Sequence, residues 1–150
     1  MKNLKSGSFM SLSCFLLLSA LSGSLQAQQK QRAKQEINFS TADYKHVLAS
    51  AKASKKKIFI DAYASWCAPC KELQKVTFKD TKAASYFNKN FINMRIDVEK
   101  GEGVKLAKKW GISGLPTLLI LDQNGHVLDS HIGYVDGNGL MEFAKDAAGQ

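Results

Sequence analysis

Apolar and polar positions along the chain repeat with two different periods. Short apolar runs rich in β-branched and aromatic residues occur at Lys57 to Tyr63 (KIFIDAY), Phe91 to Val98 (FINMRIDV), Thr117 to Leu121 (TLLIL) and His126 to Ile132, and each predicts a strand. Helical spacing fills much of the remainder. Tyr44, Val47, Leu48 and Ala51 share one face behind Ser40-Thr41-Ala42-Asp43, which resembles a capping box. Leu73 and Val76 fall at core spacing between Lys71 and Val76, as do Val104, Ala107 and Trp110 further on, and Leu140, Phe143, Ala144 and Ala147 near the C-terminus. Asp122-Gln123-Asn124-Gly125 is a hairpin signal, so the last two strands are expected to be antiparallel neighbours. The longer connections have room for crossover helices. The expected architecture is α/β, a central mixed β-sheet with helices on both faces, and no repeat, low-complexity tract or second domain interrupts it.

The first 27 residues stand outside this pattern. Lys2 and Lys5 precede an apolar run from about Phe9 to Leu21, and Leu25-Gln26-Ala27 closes it on a small residue, the order of a secretory signal. The run is shorter than the ~20 residues a spanning helix needs, so cleavage near Ala27 is expected rather than an uncleaved anchor. Cys14 sits inside the run without the residues of a lipid-attachment site before it. Residues 28–38 are expected to be a flexible leader and 39–150 the folded domain, periplasmic or secreted.

Composition narrows the function classes. The 150 residues are 45% hydrophobic and 23% charged, an ordinary globular balance for one domain. Loss of Lys2 and Lys5 lowers the formal charge from +8 to +6. Lys52, Lys55, Lys56, Lys57, Lys105, Lys108 and Lys109 read as solvated faces, because no aromatic platform or glycine-rich cradle accompanies them, and no nucleic-acid partner is expected.

Removal of the signal also reduces three cysteines to two, Cys67 and Cys70. A bridge spanning two intervening residues restrains little loop entropy, so a stability staple is a poor account of them in an exported chain. They lie where the strand ending at Tyr63 gives way to a helix. At a helix N-terminus, unpaired N–H groups and the positive end of the dipole favour a thiolate, which makes Cys67 a nucleophile near neutral pH. Cys70 lies one turn deeper, within bonding reach.

Asp61, then Trp66-Cys67-Ala68-Pro69-Cys70-Lys71, then Gly114-Leu115-Pro116-Thr117 resemble, in order and spacing, the thioredoxin superfamily from about Phe39 to the C-terminus. Tyr63-Ala64, Lys71-Glu72 and Lys75-x-Thr77-Phe78-x-Asp80 bring the pattern nearest to the C-terminal periplasmic domain of the disulfide reductase DsbD and to small secreted bacterial thioredoxin-like proteins. The resemblance implies a thioredoxin fold. Cys67 matches the attacking cysteine, Cys70 the resolving one, and Pro116 a cis-proline beside which the backbone of Leu115 binds an extended substrate. Asp61 matches the buried acid that takes the proton of the resolving cysteine, and Trp66 an apolar docking surface. The lysine that often partners that acid in cytosolic thioredoxins is replaced by Asn93 or Met94. Tyr63, Phe78 and Trp110 are expected in the core.

The rival for the cysteine pair is zinc, which wants two further ligands; only His46, His126 and His131 are on offer, at no suitable spacing. No metal or cofactor is expected. A binding module that has lost its chemistry commonly lacks one of the cysteines, and both are present. Ala68-Pro69 resembles the dipeptide of reducing thioredoxins more than that of oxidases. The expected activity is therefore a thiol-disulfide reductase, with an oxidase or isomerase as the alternative. A monomer is expected, with exported disulfide-containing proteins as clients and, by the resemblance, a membrane disulfide reductase as electron donor.

Overall fold

A computed structural model of the protein describes residues 36–149, so the signal expected at 1–27 and the leader as far as Gln35 lie outside the described residues. Five strands form one mixed sheet in the order β1-β3-β2-β4-β5, with β1 at Phe39–Ser40, β2 at Lys57–Tyr63, β3 at Phe91–Asp97, β4 at Thr117–Leu121 and β5 at Val127–Ile132. β1 and β2 both run parallel to β3, and β4 runs antiparallel to β2 and β5. The helices are α1 (Tyr44–Ser54), α2 (Ala68–Lys75), α3 (Thr81–Asn90), α4 (Glu102–Lys109) and α5 (Gly137–Ala148), with a 3-10 turn at Thr77–Lys79.

Strand alternation divides the core in two. Ile58, Ile60 and Ala62 of β2, Met94 and Ile96 of β3 and Leu119 and Leu121 of β4 meet Tyr44, Val47 and Ala51 of α1 and Leu106 of α4. Phe59, Leu118 and Ile120 point the other way, against Leu73 of α2, Phe87 of α3 and Leu140 and Ala144 of α5. Each such large side chain contributes about 1.5–3 kcal/mol by burial.

The strands expected at Lys57 to Tyr63 and Thr117 to Leu121 are present with those bounds, and the hairpin joins β4 to β5. The cap of α1 is Asp43, whose side chain accepts the N–H of His46 at 2.9 Å. Two elements carry little periodic signal and are additions. β1 is two residues long. α3 is capped by Asp80, whose Oδ1 accepts the N–H groups of Lys82 (3.0 Å) and Ala83 (2.9 Å), and it buries only Ala83, Ala84 and Phe87. Where β3 passes into α4, the backbones close tightly: a Cβ on Gly103 would lie 2.0 Å from the Asp97 carbonyl oxygen.

Candidate functional site

β2 ends at Tyr63, and Cys67 follows as the N-cap of α2 in an extended conformation, φ −69° and ψ 107°. Its Sγ accepts the backbone N–H of Cys70 at 3.2 Å. Pro69 occupies the first turn, where no N–H is required. A disulfide joins Cys67 and Cys70 across a Cα–Cα distance of 5.3 Å. Both cysteines are buried, Cys67 at 2% exposure and Cys70 at 0%, so the difference in access between them is small in the oxidised protein. On reduction, the amide already directed at Cys67 and the dipole of α2 favour negative charge on that sulfur.

Leu115 packs on the cysteines together with Ala64, Tyr63 and Val98. The Leu115–Pro116 peptide bond is cis. Thr117 Oγ1 donates to the Gly114 carbonyl at 2.6 Å, and the N–H of Gly133 donates to the Pro116 carbonyl at 2.9 Å, so both sides of this segment are tied down. A groove of about 580 Å³ runs from Trp66 and Cys67 to Leu115, with Val98, Ala107 and Ile112 as its apolar wall. Trp66 is 66% exposed, and its indole Nε1 donates to Glu99 Oε1 at 2.9 Å. It is therefore a surface residue beside the sulfurs. Phe78 is in the core as expected, whereas Tyr63 and Trp110 are half-buried.

Asp61 is fully buried, on the face of β2 that lies against α2. Its Oδ2 accepts from Arg95 Nε at 2.6 Å, and its Oδ1 has no hydrogen-bond partner. Burial pushes the Asp61 carboxyl up from its usual range, and the Arg95 guanidinium pulls it partway back. Arg95 is 22% exposed; its guanidinium lies 4.2 Å from the ring centre of Tyr63, and with the Gln74 amide oxygen turned inward it also donates to Gln74.

Neither Asn93 nor Met94, the residues expected in place of the lysine, partners the acid. Met94 faces the opposite core, and Asn93 Nδ2 donates to the Asn38 carbonyl and to Asn88 Oδ1, both at 3.2 Å, clamping β1. Arg95 supplies the cation, because the parallel register sets Asp61 directly beside it. Strand alternation was the available signal: Asp61 and Arg95 are interior strand positions of opposite charge. Glu99 and the groove wall carried no comparable signal, since they converge only in the fold.

Among the described residues, no group of three or more His, Cys, Asp and Glu side chains gathers as a metal site. His46 pairs with Asp43 at 2.7 Å, His126 with Asp122 at 3.0 Å, and His131 packs against Phe143.

A family model described as a thioredoxin-like domain matches residues 44–148. The chain is 32% identical over 108 residues to the thiol:disulfide interchange protein DsbD of Pseudoalteromonas atlantica, covering 69% of this chain and 18% of that protein. It is 34% identical over 124 residues to DsbD of Yersinia pestis (strain Pestoides F), covering 78% of this chain and 20% of that protein. The chain thus spans about a fifth of the length of these relatives. A solution structure from Bacteroides thetaiotaomicron, provisionally assigned as a disulphide-isomerase, is 39% identical with a TM-score of 0.68, covering 77% of this chain and 97% of that one.

Proposed function

On the premise that this chain belongs to the thioredoxin-like family and is a thiol-disulfide oxidoreductase with a Cys67–Cys70 pair, we propose that it reduces disulfides in exported proteins. The observation that carries the reading is the cysteine pair at the start of α2, with a buried acid on the sheet face beneath that helix. In the reduced protein, the Cys67 thiolate attacks one sulfur of a client disulfide; the other client sulfur leaves as a thiolate and takes a proton from water. Cys70 then loses its proton to the Asp61 carboxylate and attacks Cys67 Sγ. The second client sulfur departs, two electrons have passed to the client, and the Cys67–Cys70 disulfide is formed. Trp66, Leu115 and Pro116 position the client: an extended segment lies along the groove with its backbone against Leu115 and an apolar side chain toward Val98 and Ile112.

The direction of electron flow rests on Ala68-Pro69, which adds no cation beside Cys67 to stabilise its thiolate further. The expected potential is near the thioredoxin value of about −270 mV rather than the DsbA value of about −120 mV. Equilibration of Cys67–Cys70 in dithiothreitol redox buffers measures it, and a value above about −180 mV would overturn the reductase reading. That result would favour isomerase or oxidase activity, the reading supported by the 39% identical Bacteroides structure.

Residues 1–27 act as a cleaved signal and 28–35 as a leader; the redox domain starts before the expected Phe39, because Ile37 is buried in the core and its N–H donates to the Phe78 carbonyl at 2.8 Å. The donor in this reading is a membrane disulfide reductase, supported by the likeness to one part of DsbD. Mass analysis of the exported product tests the cleavage: retention of Met1 to Ala27 would contradict it.

A further inference from the structure

The described domain carries a small excess of positive charge. Five of the 21 lysines and arginines precede Gln35, so the domain carries 16 against 13 acids. A second groove, of about 700 Å³, runs along α2 and the 3-10 turn and shares no lining residue with the substrate groove. Lys71, Lys75, Lys79 and Arg95 line it, with Glu36 as its one acid. Arg95 is paired with the buried Asp61, and with that pair set aside Lys71, Lys75 and Lys79 against Glu36 leave the groove with an excess of +2. Lys71 and Lys75 are one helical turn apart on α2, Lys79 follows in the 3-10 turn, and all three are exposed. Among the described residues, none of the three lysines has an ion-pair partner.

We propose that this groove docks an acidic segment of the protein that exchanges electrons with Cys67. The substrate groove beside Leu115 receives the reacting cysteine of that partner, and the basic groove holds a second stretch of it. This rests on the oxidoreductase activity for the partner's role, whereas the basic groove itself rests on charge and shape. From Lys71 to Lys75 the helix rises about 6 Å, the span of about two residues of extended chain, and Lys79 follows in the 3-10 turn. Phe39 on the β1 side also lines the groove. A flat anionic bilayer would meet the lysines but would not reach Arg95, which is only 22% exposed. Single-stranded nucleic acid would want exposed rings for stacking, and of the two aromatics here Phe78 is buried while Phe39 lies under the Arg95 guanidinium, 5.5 Å from its ring centre.

The test is titration of the whole ¹⁵N-labelled chain with hexaglutamate, with hexaglutamine as the neutral control. Amide shifts centred on Lys71 to Lys79, Phe39 and Arg95, weakening as salt rises from 50 to 200 mM, are expected. Lys75→Glu with Lys79→Glu should weaken binding at least tenfold, and the paired Gln substitutions by less. Lys105→Glu with Lys108→Glu on α4 should change it less than twofold. Circular dichroism melts confirm that each variant folds. Equal loss in the α4 variant, shifts spread over both helices, no shifts at all, or equally strong perturbation of these amides by phosphatidylglycerol vesicles or oligouridine would each overturn the proposal. Insulin reduction, measured without an acidic peptide, reports separately on the reductase reading.

Discussion

Ile58, Ile60 and Ala62 leave β2 on one side of the sheet, and Phe59, Asp61 and Tyr63 leave it on the other, and the two sides bury different chemistry. Among the described residues, the buried set against α1 and α4 contains no charged side chain. Against α2, the same sheet buries a carboxylate at Asp61 and sets Arg95 beside it. Burying a charge costs far more than burying a methyl group unless the charge is paired, and here one carboxylate oxygen is left without a partner. The apolar face stabilises the sheet. The other face carries a stability cost at a buried acid under the helix that carries the cysteines, the acid proposed above as the proton acceptor.

Substitutions can break that division, and the largest effect belongs to the sulfurs. Cys67→Ser should lower insulin reduction by ~10³-fold or more, while Cys70→Ser should accumulate mixed disulfides through Cys67, visible on non-reducing gels. Equal trapping by both variants would remove the asymmetry between the cysteines. Next comes the apolar face: Leu121→Ala should cost about 2–5 kcal/mol in urea unfolding and leave the reduction potential unmoved. A shift in potential would show that the two faces are coupled.

Asp61→Asn should act in opposite directions on activity and stability. Resolution of the mixed disulfide, followed by stopped flow, should slow by about 10–100-fold near neutral pH and lose its rise with pH. The folded pKa of Asp61 is raised, so the stability of the natural protein is fully present below the unfolded value and falls as pH climbs through the folded one. Asn cannot ionise, so the variant should melt higher at pH 7, by roughly 4–8 °C for each kcal/mol released, and no higher near pH 3. Equal melting temperatures at both pH values would count against the buried-acid account. The smallest effect is expected at Arg95: Arg95→Met should move the pH midpoint of resolution upward, because the pull that lowers Asp61 is gone, and Arg95→Lys should recover part of the shift.

Sequence legibility follows the same division. β2 and β4 were readable to the residue because their apolar runs are bounded by turn signals, and the cysteine pair was placed at a helix start by the strand before it and the helix formers after it. The Asp61–Arg95 pair was not assigned, although both residues are plain in the sequence. Their contact depends on the parallel register of β2 on β3, and a one-residue slip would place them on opposite faces. β1 escaped because two residues carry no period. β5 was read as an apolar strand, and it is one, yet Val127, Leu128 and Ile132 are largely exposed because it is an edge strand. Burial at an edge depends on what covers it, which local pattern does not encode.

Gly103 shows how a missing atom can set a dimension. Any other amino acid there would drive a carbon into the Asp97 carbonyl, with backbone on one side and the first turn of α4 on the other. The clash would be relieved by moving the helix outward, and α4 carries Ala107, part of the wall of the client groove. A substitution at Gly103 is therefore expected to shift that wall of the groove. The exposed lysines of α4 face no such constraint, so side-chain size is expected to be free there and forbidden at Gly103.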